Sequence, residues 1–451
     1  MTIIQEIVQD FAQKIASCDL ADLGLDQFIQ EVLSETKRFA LTATQVRLEE
    51  LDQDLLCHPE KRPGWTVQKQ ERRTLVTSLG DLCYNRRYYK NAASGKRAYL
   101  VDKAVGIEAY ERISKEAKVS VCDHVVNHFY QASAREVCDN RISKQSVMRI
   151  VRQIDLPEPL RYSYGKEEIE VIHIQADEDH VPMQVGSCRQ ARMAVIHLPA
   201  MREGKRAYLP QKRYVLDQGE SVFDFWERIW TEICCNYNIA KTCVIYLHGD
   251  GANWIKSGVE YLPGSKFVLD KFHVTKALKS IISVGHPLHS ALKQSVYTAD
   301  RKAFKQVARA CLGLEARDTE QQEKAILYCL RNWQGIQIWQ HDPHCGNSCA
   351  EGLVSHYISD RMSSRPMAWL DPGMHAVLAL KEYKLNGGKI SVDHFRKQKE
   401  ISLTSNDASA RIDQKAVGSD FLPMPTEMGR HSKNDSLRRF FDFVKYGGFC
   451  K

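Results

Sequence analysis

Three acidic residues have the type and spacing that a metal-dependent reaction on phosphate requires. Asp177 follows the strand-like run at the start of EVIHIQADED (170–179), and Asp250 closes the apolar run TCVIYLHGDG (242–251). A third acid, Glu351, opens the helical stretch AEGLVSHYISDRM. Carboxylate oxygens on a rigid sheet suit Mg²⁺, with Mn²⁺ as the other option. Two such ions about 3.5 to 4 Å apart can activate a hydroxyl on one side of a phosphodiester and stabilise the leaving oxygen on the other.

Each of these acids also has a purely structural interpretation. An Asp at the end of a strand is often a turn former or a helix cap, and Asp250 with Gly251 is a standard turn pair. Glu351 fits the first turn of a helix, where the macrodipole favours negative charge. Within the ADED segment, the residues alone leave the choice between Asp177 and Asp179 open.

The segments around the acids predict an α/β domain. Their order is strands at 170–179, 192–198 and 212–218, a helix at 221–237, a strand at 242–251, a helix near 252–260 and a strand at 266–273. The strands are short, apolar and bounded by turn residues, and the helices show the longer helical period. This order predicts a ribonuclease H-like fold with a mixed sheet, in which the first and fourth strands are neighbours. The carboxylates of Asp177 and Asp250 would then meet.

The N-terminal part of the chain reverses its charge near residue 60. Residues 1–60 hold 4 Lys and Arg against 12 Asp and Glu, whereas residues 61–119 hold 14 against 6. We interpret the first segment as amphipathic helices that either pack on their own domain or self-associate. The second contains TLVTSLGDLCYNRRYY (74–89), which predicts a short β-hairpin or meander. Its Arg86 and Arg87 either contact a phosphate backbone or keep an edge strand soluble.

A helix-turn-helix pattern follows in QASAREVCDNRISKQSVMRIVRQID. It predicts a helix near 132–139, a turn through Asn140 and a second helix capped by Ser143. The second helix turns an apolar stripe inward and leaves a polar face for a major groove. That face carries Lys144, Gln145, Met148, Arg149 and Arg152. Two short helices joined by a turn are also common in proteins that do not bind DNA.

Five longer segments closely resemble the ISLre-type insertion-sequence transposases, a group of DDE transposases with Mutator-like features. They are ADEDHV (176–181), HGDGANWIKSG (248–258), LDKFHVTKAL (269–278), EGLVSHYISDRMSSRPMAW (351–369) and YKLNGG (383–388). The resemblance covers nearly the whole chain. It implies that Asp177, Asp250 and Glu351 are the DDE triad and hold Mg²⁺ or Mn²⁺. It also implies that Asp270 and His273, which resemble the C/D-x-x-H motif of the Mutator-like group, support the site.

The resemblance also accounts for the 101 positions between Asp250 and Glu351, because related transposases fill this interval with an all-helical insertion. The segment 284–344 has that character, and one of its helices opens with the capping pair Thr319 and Gln322. An insertion Trp contacts flanking DNA in relatives. Trp333 is the candidate here, with core packing as the alternative.

Two further groups lie close to the glutamate in sequence. Arg361 and Arg365 follow it in RMSSRP and are candidates for bidentate phosphate contacts or for ordinary surface pairing. The second group contains zinc-ligand types, namely His344, Cys345, Cys349 and His356. Their spacing lacks a clear second pair of ligands, and thiolates would select zinc where the reaction needs magnesium. A polar helix start is the alternative interpretation.

These patterns predict a ribonuclease H-like catalytic domain with a helical insertion, preceded by a helical and small β region. The predicted ranges are N-terminal amphipathic helices at 1–60, a basic β segment at 61–105, a helix-turn-helix region at 106–155, a linker at 156–168, the first part of the core at 169–283, the insertion at 284–344, the core with the glutamate helix at 345–388 and a basic tail at 389–451. Leu156-Pro157-Glu158-Pro159 marks the main boundary, because proline cannot continue a helix.

Composition narrows the possible classes of protein. The chain has 451 residues, 43% of them hydrophobic, with a net charge of +7 and 14 scattered cysteines, which suits a globular protein in a reducing cytoplasm. No run of 18 apolar residues or signal-peptide pattern is present, so membrane spanning and secretion are not expected. We expect a nucleoid-associated transposase, at least a dimer on DNA, whose partners are the terminal inverted repeats and target double-stranded DNA. The alternatives are a nuclease without strand transfer and a domesticated DNA-binding protein.

Overall fold

The computed structural model describes residues 3–157, 165 and 167–395, which form two compact units. The first unit combines the described residues up to Pro157 with a segment that begins at Trp369, and the second contains the described residues between them. Most of the predicted linker 156–168, and the predicted basic tail from residue 396 onward, lie outside the described residues. Among the described helices, none has both the length and the apolar character to cross a bilayer.

The first unit begins with two helices and a small antiparallel sheet. These elements are α1 (Ile3–Ser17), α2 (Leu20–Cys57), β1 (Trp65–Thr77), β2 (Gly80–Asn91) and β3 (Arg97–Tyr99). The sheet order is β1-β2-β3, so the predicted hairpin around Gly80 is confirmed. Helix α2 packs on β2, where Leu48 joins Leu82 and Tyr84 in a small core. The acidic helix and the basic strand are therefore packed on each other.

Four shorter helices complete this part of the chain. They are α3 (Leu100–Ala104), α4 (Lys115–Val125), α5 (Tyr130–Cys138) and α6 (Lys144–Gln153). Asp139 and Asn140 adopt positive φ angles of 45° and 59° between α5 and α6, and the Ser143 hydroxyl accepts a hydrogen bond from the Ser146 N–H at 3.2 Å. The two predicted helices, their turn and the Ser143 cap are confirmed.

The second unit is built on a five-stranded mixed sheet. Its strands are β4 (Ile169–Val181), β5 (Arg189–His197), β8 (Arg213–Leu216), β9 (Ile239–Gly249) and β10 (Ser265–Leu269), while β6 (Met201–Glu203) and β7 (Arg206–Tyr208) form a separate hairpin. The sheet order is β10-β9-β4-β5-β8. Strands β9 and β10 run parallel to β4, whereas β5 is antiparallel to both β4 and β8. The predicted first and fourth strands, β4 and β9, are neighbours.

The two faces of β4 have different chemistry because side chains alternate along a strand. Ile172, Ile174 and Ala176 belong to the main apolar core. Helices α7 (Val222–Asn236) and α8 (Asn253–Tyr261) contribute Trp226, Ile229, Ile233 and Ile255 to that core. The intervening residues of β4, His173, Gln175 and Asp177, therefore point to the opposite face. This polar face carries the candidate site.

The segment 284–344, predicted as a helical insertion, is helical. After α9 (Lys271–Ile281) come α10 (Pro287–Tyr297), α11 (Arg301–Cys311), α12 (Thr319–Arg331) and α13 (Trp333–His341). The predicted capping pair of α12 is wrong, because Asp318 caps this helix by accepting from the Glu320 N–H. Gln322 is instead fully buried and donates to the carbonyls of Ile281 and Cys311. It bonds α12 to two neighbouring helices.

The chain then passes through α14 (Ala350–Val354), a π-helical turn (Ser355–Ser359), α15 (Asp360–Met362) and α16 (Asp371–Leu385). Helix α16 belongs to the first unit, where it packs on α6 and buries Met374, Val377 and Leu378. The predicted range 345–388 is therefore divided between Ala368 and Trp369. Only the part with Glu351 stays with the sheet.

Candidate metal centre

The pairing of two parallel strands brings the first two acids to the same edge of the sheet. Gln175 of β4 pairs with His248 of β9, and Asp177 and Asp250 each lie two residues beyond this pair. The turn after β9 is tight. Gly251 has a φ of +92°, and a Cβ at this position would come within 2.8 Å of the Asn332 side chain. Glycine is therefore required directly after Asp250.

The third acid is positioned by the loop that precedes α14. The Cys349 N–H donates to the Gln175 side-chain oxygen at 3.1 Å, which ties the start of α14 to β4. The Ser348 hydroxyl donates to Asp270 at 3.0 Å, which ties the same loop to the start of α9. Glu351, in the first turn of α14, is thus fixed relative to both elements.

Asp177, His273 and Glu351 form a close group of metal-ligand side chains. One ligand atom from each lies within 4.8 Å of the other two. The His273 Nε2 atom lies 3.4 Å from a Glu351 carboxylate oxygen. Two ligands of one ion, each about 2.0 to 2.6 Å from it, are at most about 4 to 5 Å apart, so the spacing fits a single divalent cation. We call these three residues the acid-histidine cluster.

The electrostatic environment of the cluster favours a cation. Burial, together with the negative charges of Asp250 and Glu351, raises the pKa of Asp177 to about 7, while a hydrogen bond from the Glu178 N–H acts in the opposite direction. Asp177 is only 7% exposed, whereas the Glu351 side chain is 56% exposed. The cluster is therefore buried on the strand side and open to solvent on the helix side. A divalent ion would relieve the repulsion.

The three acids of the ADED segment have separate contacts. The Trp254 indole N–H of α8 donates to Glu178, on the apolar side of the sheet. Asp179 accepts from the Ser363 hydroxyl. Asp177 is the member of this segment that joins the acid-histidine cluster, which favours Asp177 over Asp179 as the ligand. Asp250 lies outside the cluster, and its carboxylate accepts from the Ala252 N–H at 2.7 Å.

A row of buried histidines extends beneath the site and was not predicted. His173 of β4 lies between His197 of β5 and His248 of β9, with ring centroids 5.4 Å away on each side. The Nδ1 of His173 is 3.1 Å from the Nε2 of His248, and Gln175 bonds His197. Burial lowers the pKa of all three, that of His173 to about 4. The period-two spacing of His173, Gln175 and Asp177 is the sequence signal that places this histidine row on the face of the acids.

The predicted phosphate contacts of the basic β segment are not supported by the structure. Arg86 forms an ion pair with Asp102, and its guanidinium carbon lies 3.5 Å from the centroid of the Tyr99 ring. Arg87 forms an ion pair with Asp52 at 2.7 Å, and its own N–H donates to the same carboxylate. The side chains of Arg86 and Arg87 are 13% and 16% exposed. Both arginines hold the fold together.

The predicted groove-facing side of α6 is accessible. Lys144, Gln145, Arg149 and Arg152 are exposed and Met148 is half-buried, while Val147, Ile150 and Val151 form the buried stripe. These positions keep their candidate role in contacts with DNA.

Three residues that were candidates for DNA, phosphate or zinc contacts are buried in the structure. Trp333 is 3% exposed and packs against Phe304 in the core of the insertion, so its position corresponds to core packing. Arg361 is also 3% exposed, which removes it from a phosphate-facing surface, whereas Arg365 is exposed. Cys345 is buried beside Tyr246 and Val268. Within the described ranges, the cysteines and histidines around Glu351 do not form a zinc-type group.

The model of an uncharacterised protein family, UPF0236, matches residues 21–399. One curated relative, a UPF0236 protein of Caldanaerobacter subterraneus subsp. tengcongensis, is 31% identical over 88% of this chain and 85% of its own length, and its name combines eleven gene loci. A second UPF0236 protein of this organism is 30% identical over 92% of this chain and 89% of its own. A third, whose name combines four loci, is 30% identical over 92% and 88%. The matched range includes every residue of the acid-histidine cluster.

Proposed function

The chain belongs to the uncharacterised family UPF0236, and we propose that it is the DDE transposase of a bacterial insertion sequence. In this proposal it binds terminal inverted repeats, at least as a dimer, and catalyses metal-dependent DNA cleavage and strand transfer. The observation that carries the proposal is the approach of Asp177 and Glu351, which are 174 positions apart in sequence, to within the span of one divalent ion. Asp250 adds a third carboxylate close enough to raise the pKa of Asp177.

The sheet supports a ribonuclease H-like assignment. Numbered within the second unit, and leaving out the β6–β7 hairpin, its order is 3-2-1-4-5, with the second strand antiparallel to the first and the last two parallel to it. The acids stand at the carboxyl ends of the first and fourth strands. The helical segment between β10 and α14 accounts for the long interval before Glu351.

The relatives supply independent support. Eleven loci under one protein name in a single organism, and four under another, are the pattern expected of a gene that is copied to new positions. An ordinary metabolic enzyme gives no reason for such multiplicity. The multiplicity is a property of those relatives, and its bearing on this chain rests on the shared family.

The donor set fits divalent cations, because it consists of carboxylates and one imidazole and carries a net negative charge when the carboxylates are ionised. Bound ions would neutralise phosphate oxygens and activate a water or a 3′-hydroxyl for in-line attack. Asp177, Asp250 and Glu351 would hold them. Gln175 fixes the loop before α14, so the glutamate is oriented before substrate arrives. Such prior orientation is the main contribution a protein makes to phosphoryl transfer.

A strand-transfer assay with a labelled element end tests the proposal. The wild-type protein with Mg²⁺ or Mn²⁺ is expected to nick the end and join it to target DNA. Asp250→Asn is expected to lower both steps by at least about a thousandfold, since each needs the charge, while DNA binding persists. Asp224→Asn, an exposed position of α7, is the matched control and should retain activity.

Other outcomes contradict the proposal in distinguishable ways. Nicked product without joining would indicate a nuclease. Specific retention of DNA without any cleavage would indicate a domesticated DNA-binding protein. Undiminished joining by Asp250→Asn would remove the assigned catalytic triad.

A further inference from the structure

We propose that His273 is a direct metal ligand, so that one ion is held by the carboxylates of Asp177 and Glu351 and by an imidazole, and that this position takes Mn²⁺ in preference to Mg²⁺. The inference rests on the proposed function, because it assigns the donors of the same site. It differs from the sequence-based expectation, in which His273 only supports three carboxylate ligands. The residue that completes the close group with Asp177 and Glu351 is His273, and Asp250 stands beside that group.

The imidazole is held in position on its own element. His273 is the third residue of α9, and Asp270 caps this helix by accepting from the Phe272 N–H at 2.8 Å. The second oxygen of Asp270 accepts from Ser348, two residues before α14 begins. One buried carboxylate thus fixes both the helix that carries His273 and the loop that carries Glu351. The 3.4 Å approach of these two side chains follows from the backbone arrangement.

The second observation is that the Nε2 atom of His273 has no hydrogen-bond partner among the described residues. The atom is also fully buried. A buried polar atom without a partner costs about 1 to 3 kcal/mol, so such atoms are usually paired. The atom nonetheless lies 3.4 Å from a Glu351 carboxylate oxygen, and a ring nitrogen of His273 lies within 4.8 Å of a carboxylate oxygen of both Asp177 and Glu351, where a cation would bond to all three residues. An orienting histidine would instead donate or accept a hydrogen bond.

The mixed donor set determines the preferred ion. Mg²⁺ requires a nearly ideal octahedron of oxygen atoms and exchanges its waters reluctantly. Mn²⁺ accepts the same carboxylates, and as a transition-metal ion it gains more than Mg²⁺ from an imidazole nitrogen. Two carboxylates and one imidazole on rigid elements therefore favour Mn²⁺ at this position. Asp250 remains available for a second, oxygen-only position.

The test is metal binding by the full chain in the absence of DNA. Mn²⁺ and Mg²⁺ affinities are measured by calorimetry, and pulsed electron paramagnetic resonance reports whether nitrogen is bonded to Mn²⁺. The wild-type protein is expected to bind Mn²⁺ at least about tenfold more tightly than Mg²⁺ and to show nitrogen coupling. His273→Asp should lose the coupling and shift the preference toward Mg²⁺. His341→Ala, an exposed position at the end of α13, should behave as wild type.

The outcomes separate this inference from the proposed function. Absence of nitrogen coupling in the wild type, or coupling unchanged in His273→Asp, overturns the inference even where the protein joins DNA. Nitrogen-coupled Mn²⁺ that disappears in His273→Asp supports it even where no DNA is cleaved, in which case the transposase proposal fails alone. Should His273→Asp fail to unfold cooperatively on heating, His273→Gln replaces it, with the same loss of coupling expected.

Discussion

Two buried aspartates, one in each unit, have surroundings of opposite charge. In the first unit, Asp102 of α3 is 4% exposed and accepts hydrogen bonds from Arg73, Arg86 and the Tyr84 hydroxyl. Two positive charges and a hydroxyl compensate for one negative charge. These hydrogen bonds join α3 to β1 and β2, so the Asp102 carboxylate stabilises the fold.

In the second unit, Asp177 of β4 is 7% exposed and accepts the Glu178 N–H at 2.9 Å. Its charged neighbours Asp250 and Glu351 repel it, and its pKa is raised to about 7. A buried carboxylate whose surroundings oppose its charge is typical of a functional site, whereas one with matched partners is typical of structure. Burial is common to Asp102 and Asp177, and the charges of their neighbours distinguish them.

The largest expected effect is the loss of stability when the compensated carboxylate is neutralised. Asp102→Asn leaves the guanidinium groups of Arg73 and Arg86 buried without their counter-charge, which should lower the free energy of unfolding by about 3 to 5 kcal/mol in urea titrations. Asp81→Asn is the matched control. Asp81 is half-exposed and contacts Arg141 at 3.4 Å, so its loss should cost less than about 1 kcal/mol. Equal effects of the two substitutions would contradict the structural role of Asp102.

Neutralising Asp177 is expected to increase the stability of the metal-free protein, whereas neutralising Asp102 decreases it. A carboxylate with a folded-state pKa of about 7, against an ordinary value of 3.8, destabilises the native state increasingly as pH rises from about 4 to 7, and by a constant amount above pH 7. In metal-free protein at pH 8, Asp177→Asn should therefore raise the free energy of unfolding by about 3 to 4 kcal/mol. At pH 4 the gain should largely disappear. Saturating Mn²⁺ should reverse the order, because only the wild-type native state binds the ion tightly. A loss of stability at pH 8 without metal would show that the charge of Asp177 is compensated.

The histidine row gives a third test, with a sign set by depressed pKa values. Because burial lowers the pKa of His173 to about 4, the native state keeps this ring neutral while the unfolded chain protonates it below about 6.5. Its contribution is thus fully present above pH 6.5 and decreases as pH falls towards 4. The stability difference between the wild type and His173→Gln should shift by about 2 to 3 kcal/mol between pH 7 and 4.5, against the wild type.

The comparison with the variant is needed because Asp177 titrates in the opposite sense over part of this range. Since Asp177 is present in both proteins, its contribution cancels in the difference. His341→Gln, at an exposed position, should show no shift. A flat difference for His173→Gln would mean that the histidine row is solvated or charged in the native state.

The sequence predicts the arrangement of β4 and β9 well because local patterns and simple sheet geometry are sufficient there. The alternation in β4 separates the apolar side from the polar side, and parallel pairing of β4 with β9 places Asp177 near Asp250. The identity of the third acid depended on a resemblance. The histidine row depends on side-chain positions across three strands, and the approach of His273 to Glu351 depends on the relative positions of α9 and α14, so no single segment contains either feature.

The sequence predicts the basic segment poorly because its charges are compensated by distant residues. Arg86 pairs with a carboxylate 16 positions away, and Arg87 with one 35 positions away on α2. A charge count treats segments 1–60 and 61–119 as separate surfaces, while the fold packs α2 against β2. The position of α16 also depends on a distant segment, because its packing partner α6 lies more than 200 residues earlier in the chain.

The smallest expected effect is on the salt dependence of DNA binding. It distinguishes the exposed basic residues of α6 from arginines that are paired with carboxylates. Lys144 and Arg149 are exposed on α6. Each phosphate contact contributes about 0.9 to the slope of log affinity against log salt concentration, so Arg149→Ala should lower the slope by about 0.9 and weaken binding uniformly across sequences by roughly 1 kcal/mol. Asp52→Asn combined with Arg87→Gln removes both members of a buried ion pair, so that neither charge is left without its partner. The slope of this double variant should equal that of the wild type. A lower slope in the double variant would mean that Arg87 leaves Asp52 to contact phosphate. The difference between exposed Arg149 and paired Arg87 would then hold only for the protein without DNA.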